Sequence, residues 1–224
     1  MSKGRRTPAP TGSLDSSGAY PPSVDRLIAE FSRLPGIGRR SAERLAFHVL
    51  KSHPDQAMAL ADAVREVKEN VQYCRVCFNF AEEDECAICR DEKRDRACIL
   101  VIEQPRDLIA LETTGMYKGV YHVLLGRISP LDGVTARDLT IRELLARAEA
   151  PARNCGGIPV REVILGLNPT LEGDGTGLLL TDELQRRGVT VSRLARGLPS
   201  GSQLEFANKA VLADAIAGRR PMTD

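Results

Sequence analysis

Four cysteines constrain this chain more than any other feature. Cys74 and Cys77 are separated by two residues, Cys86 and Cys89 by two more, and eight residues lie between the pairs. Two residues between sulfurs let both reach one ion from a tight turn, and two such pairs complete a tetrahedral set of thiolates. Four thiolates leave no open coordination position, so the spacing points to one structural zinc ion rather than a hydrolytic metal. Residues 78–85 are too few to build a core, so metal binding is expected to supply the folding energy of the segment. Disulfides or inert core thiols are the alternative, and a reducing compartment argues against them. A DNA-reading finger is a second alternative, but Glu82, Glu83, Asp84 and Glu85 in the intervening loop repel phosphate. Cys98 and Cys155 read as small buried hydrophobes.

Charge directs attention to the N-terminal part of the chain. The formal net charge is only +1, but residues 1–51 hold nine Lys/Arg against four Asp/Glu, a net of +5. A nucleic-acid contact, if there is one, is therefore local. The absence of tryptophan and the low aromatic content argue against a base-stacking platform. Residues 1–22 are rich in Ser, Pro and Gly with few aliphatic side chains, the composition of a disordered tail. No apolar leader is evident and no stretch approaches the ~20 apolar residues of a membrane helix, so a cytoplasmic protein without membrane contact is expected.

From Ser23 onward Val24, Leu27, Ile28, Phe31 and Leu34 follow helical spacing, with Ser23 as the expected cap. Pro35 and Gly36 stop this helix. A second is expected over residues 39–51, burying Ala42, Leu45, Ala46 and Val49, and a third after Pro54 with Ala61, Val64, Val67 and Val71 on one face. The intervening Gly36-Ile37-Gly38 leaves the first amides of the second helix unobstructed. Those amides, the helix dipole and the charges of Arg39, Arg40 and Arg44 suit a backbone phosphate, irrespective of base identity. The alternative is a plain packing unit with a solvated basic face.

Beyond the cysteines, apolar runs at 97–103, 121–126, 162–167 and 189–194 alternate with helical patterns near 106–113, 136–149 and 174–187. That alternation implies a parallel sheet covered by helices, and a mixed α/β fold class overall. Glu103 ends the first strand, and Glu172 and Asp174 follow the third, so all three are expected at the carboxyl edge of the sheet, where α/β proteins bind ligands. They are candidates for a magnesium site, with helix capping by Asp174 or a protein-binding acidic patch as alternatives. No Gly-x-x-x-x-Gly-Lys-Ser/Thr loop occurs, His48, His53 and His122 form no ligand pattern, and no nucleophile with a partner base is identifiable.

Taken in order, LPGIGRRSAERLAFHVL, the four cysteines, VIEQPRDLIALE, LLGRISPLDGV, NPTLEGDGT and GLPSGSQLEF make a combination that resembles the bacterial recombination mediator family RecR, over about residues 23–220. The resemblance implies a helix-hairpin-helix module at 23–72, a zinc knuckle at 73–95, a Toprim domain at 96–195 and a C-terminal subunit-contact segment at 196–224. It also implies a non-enzymatic role in recombinational repair with RecO and RecF, and ring-like tetramers able to encircle duplex DNA. Gly36, Gly38, Arg39 and Arg40 would face DNA. Glu103, Glu172 and Asp174 would form the Toprim acidic site, for partner docking or metal. Three positions depart from the family pattern: Arg39 where proline is frequent, Leu179 in place of a common tyrosine, and Val211 in place of threonine. A Toprim nuclease or strand-passing enzyme is the rival reading. It lacks a well-placed nucleophile, since Tyr20, Tyr73, Tyr117 and Tyr121 fall in the tail, at the knuckle edge and near the sheet.

Overall fold

The computed structural model describes residues 20–221, and the tail expected over 1–22 lies outside them up to position 19. The chain divides into two compact units, one ending at Glu69 and the other beginning at Asn70.

The first unit is helical: α1 (Pro22–Ser32), α2 (Arg39–Lys51) and α3 (Pro54–Asn70). Proline's fixed φ suits the first helical position, so α1 starts on Pro22 and takes Ser23 into its first turn. The Ser23 cap expected from sequence is not formed, and Pro21 at the cap position makes no side-chain hydrogen bond. Ile28, Ala42 and Ala46 are buried between α1 and α2, with Tyr20, Val24, Leu27, Phe31 and Ile37 packed around them. Leu45, expected inside, is exposed, and Val49 is half-buried. The face of α3 that carries Ala61, Val64 and Val67 has no buried residue: Val64 is 60% exposed and Val67 57%. Two packed helices offer one buried seam, which α1 and α2 use on each other.

The second unit opens with a short antiparallel ribbon, β1 (Gln72–Tyr73) against β2 (Phe80–Ala81), and a single turn of helix, α4 (Ala87–Arg90). There follow β3 (Asp95–Ile102), α5 (Pro105–Glu112), β4 (Gly119–Val123), α6 (Ile141–Glu149), β5 (Glu162–Leu165), α7 (Leu171–Gln185), β6 (Thr190–Arg193) and α8 (Lys209–Ala217). The four longer strands form one parallel sheet in the order β4-β3-β5-β6. Side chains of β3 alternate between its faces, as strand geometry requires. Ile99 and Val101 enter one core with Val120, Leu144, Val163, Leu180 and Leu184, while Leu100 and Ile102 enter another with Leu108, Tyr121 and Val123. The architecture is the mixed α/β fold expected from the alternation of patterns. One expected helix is broken. Residues 136–138 form a 3-10 turn capped by Thr135, Leu139 is extended, and α6 starts only at Ile141.

Candidate metal centre and nucleic-acid interface

The cysteine cluster is built from two backbone turns. In the first, the Cys74 amide donates to the Asn79 carbonyl (2.7 Å) and the Phe78 amide to the Cys74 carbonyl (3.0 Å), with Phe78 itself at φ 62°. In the second, Cys86 precedes α4 and its carbonyl accepts from the Arg90 amide at 3.1 Å. The four sulfurs are buried and lie within 4.8 Å of one another; Cys77 and Cys86 approach to 3.5 Å. Among the described residues no disulfide is formed. Four converging thiols in a dry site are the donor set of a structural zinc, and these residues fit it. The knuckle is tied to the sheet by the Val123 amide, which donates to the Cys77 carbonyl at 2.8 Å.

Of the two further cysteines, Cys155 is buried in the core as expected and Cys98 is not. Cys98 is only partly buried and receives a hydrogen bond from the Tyr117 hydroxyl. Cys155 is buried but polar in its contacts, touching Arg147 at 3.8 Å. His122 is fully buried, its Nε2 2.9 Å from the Thr140 carbonyl. Burial, then the Arg147 guanidinium, drives its pKa down to about 3, so the ring is neutral.

The α1–α2 turn has the conformation its glycines permit. Gly36 lies at φ 77°, a region that side chains with Cβ rarely adopt. Gly38 occupies the cap position of α2 and supplies no side-chain cap. A Cβ at either glycine would meet open space, so the backbone is approachable there. Ile37 turns its side chain into the α1–α2 core and anchors the loop. Arg39, Arg40 and Arg44 are exposed; Arg39 Nε reaches Glu43 at 3.3 Å. No acidic residue occupies the first turn of α2, which leaves the positive end of its dipole uncompensated.

The acidic residues do converge on the carboxyl edge of the sheet, but not on a common point. Glu103 is 2% exposed. Its Oε1 accepts from the Asn168 amide at 2.8 Å and its Oε2 lies 3.4 Å from Arg127 Nη1. Asp174 stands in the first turn of α7, whose cap is Thr170 rather than Asp174. Both Asp174 oxygens pair with Arg196, which holds this carboxyl below its usual range. Glu172 is half-buried. Among the described residues, only the four cysteines bring metal-ligating atoms together. With guanidinium groups already on two of the three acids, this edge does not fit the magnesium ion considered from sequence. Arg127 and Arg196 were not singled out from the sequence, although Arg127 lies within the LLGRISPLDGV motif.

A glycine-turned helical hairpin, a four-thiol zinc knuckle and a helix-covered parallel sheet with acids at its carboxyl edge define a zinc-knuckle α/β protein of the Toprim type. Family models match it piece by piece: the RecR helix-hairpin-helix over residues 24–68, the RecR four-cysteine zinc finger domain over 71–91 and the Toprim domain over 97–195. Recombination protein RecR of Rhodopirellula baltica is 52% identical over 198 residues, covering 88% of this chain and 96% of that protein. Recombination protein RecR of Rubrobacter xylanophilus is 49% identical over 91% of this chain and 98% of its own length. That of Chloroflexus aurantiacus is 50% identical over 89% and 94%. The chain belongs to the RecR family.

Proposed function

We propose that this chain is a non-catalytic, DNA-binding mediator of recombinational repair, working in the cytoplasm with RecO-like and RecF-like proteins as a ring-like homo-oligomer, a tetramer. The observation that carries the reading is the α1–α2 turn: two glycines without steric cover at an uncapped helix N-terminus, flanked by exposed Arg39, Arg40 and Arg44. Such a surface grips phosphate without reading bases. No helix among the described residues is long and apolar enough to cross a membrane.

Assembly is supported by apolar surface left uncovered in the single chain. Met58, Val64 and Val67 on α3, and Leu204, Phe206 and Ile216 near the C-terminus, are all more than half exposed, and exposed apolar patches mark interaction sites. The acidic edge, with Glu103 and Asp174 already engaged by Arg127 and Arg196, serves partner docking in this reading rather than metal-dependent cleavage.

The decisive experiment is a gel-shift titration against salt with the Arg39→Ala/Arg40→Ala protein. Binding is expected to weaken on every sequence and to lose salt dependence, because fewer counterions are released. Undiminished, equally salt-sensitive binding refutes the assignment of the hairpin. A magnesium-dependent nicking assay addresses catalysis: nicking abolished by Glu103→Ala overturns the non-enzymatic reading.

A further inference from the structure

Arg147 of α6 is 2% exposed, and a guanidinium remains charged at that depth. A buried charge is costly unless an opposite charge stands nearby. Arg147 Nε and Nη2 donate to Asn154 Oδ1 at 3.3 and 2.9 Å. Nη1 donates to the Tyr121 carbonyl at 2.8 Å and to His122 Nδ1 at 3.1 Å. The remaining donor of Nη2 points to Cys155 Sγ at 3.8 Å. An amide, a carbonyl, a neutral imidazole and a sulfur satisfy the N–H groups without neutralising the charge. Among the described residues no carboxylate pairs with Arg147.

The missing negative charge lies in the cysteine cluster against which Cys155 is buried. Cys155 and Cys89 belong to one buried cluster with the other three knuckle cysteines. A zinc ion held by four thiolates leaves a net negative charge on its sulfurs. Cys155 is not a fifth ligand by position, since the converging group comprises Cys74, Cys77, Cys86 and Cys89 alone.

We propose that Cys155 and Arg147 support the zinc centre from outside its ligand set: the Cys155 thiol donates its S–H to the Cys89 sulfur and accepts from Arg147 Nη2, and the buried guanidinium is the counter-charge of the zinc–thiolate group. A hydrogen bond to a ligating thiolate lowers its basicity and so resists the protonation that precedes ligand loss. Asn154 extends the connection, because its Nδ2 donates to the Arg96 carbonyl and the Ile158 carbonyl, each at 2.7 Å. The knuckle is thereby coupled to β3 and α6 through charge as well as packing.

The test uses the full chain loaded with zinc, or with cobalt as a spectroscopic substitute. Cys155→Ala is expected to speed zinc transfer to a chromogenic chelator by about 10-fold or more, the scale typical of lost outer hydrogen bonds to metal ligands. The same variant should shift the thiolate-to-cobalt charge-transfer band to lower energy, because the Cys89 sulfur loses a donor. Cys155→Ser keeps a donor and should stay near the parent protein in both readouts. Arg147→Lys, which keeps the charge, should retain zinc better than Arg147→Met. If Arg147→Met does not fold, the two Cys155 variants and Arg147→Lys decide. An unchanged cobalt spectrum and release rate in Cys155→Ala, even with a lowered melting temperature, would reduce Cys155 to a packing residue and overturn the proposal.

Discussion

Gly173 sets how closely α7 approaches the end of β3. A Cβ there would run into the Asn168 carbonyl and stand 3.3 Å from Glu103 Oε1, whereas at Gly175, two residues on, it would meet open space. Alanine in place of helical glycine gains about 1 kcal/mol from propensity, but overpacking against backbone costs about 1–3 kcal/mol. Gly173→Ala is therefore expected to destabilise and Gly175→Ala to stabilise, as read from denaturation midpoints. Equal effects would mean that the approach at Gly173 is loose. Glu112 gives a pH-dependent case. Its oxygens accept from Arg94 at 2.9 and 2.6 Å and from the Tyr121 hydroxyl at 2.6 Å, and the Arg94 hydrogen bonds lower its pKa from 4.5. The unfolded chain holds this proton more tightly than the folded one. The contribution is thus complete above about 4.5 and lost as pH falls through the lowered value. Glu112→Gln should cost about 1–2 kcal/mol near neutrality, and the gap from the parent should close in acid-unfolding curves.

At the scale of elements, the knuckle and the hairpin were legible because each rests on local spacing. Ligands two residues apart converge through backbone turns alone, and Gly36 and Gly38 define their turn without help from distant residues. The start of α7 was misjudged by three residues because Thr170, not an acid, caps it. On α3 periodicity marked that Ala61, Val64 and Val67 share a face, but periodicity does not say whether anything packs against it. Cys86→Ser should remove zinc from the purified protein and lower its melting temperature, because the segment between the cysteine pairs has no core to fall back on. Metal analysis and calorimetry check this, and a stable zinc-free protein would contradict metal-dependent folding of the segment.

For the whole molecule, the exposed apolar residues of α3 and of the C-terminal segment lead to a concentration-dependent assembly. Val64→Glu/Val67→Glu is expected to reduce the mass measured by light scattering while leaving zinc content intact. A parent chain that stays monomeric at every working concentration removes the ring from the proposal. By itself the sequence determined the zinc ligands, the glycine turn and the order of strands and helices, since these follow from spacing and periodicity within short segments. Only tertiary structure decided that Arg127 and Arg196 occupy the acidic edge, and that Arg147 lies buried beside Cys155. Those contacts join residues from 8 to 24 positions apart, brought together by the parallel sheet and its flanking loops, and no local pattern encodes which cation a carboxylate or thiolate will meet. The four cysteines announce a metal, but the charge that balances it comes from a helix the cysteine spacing does not mention.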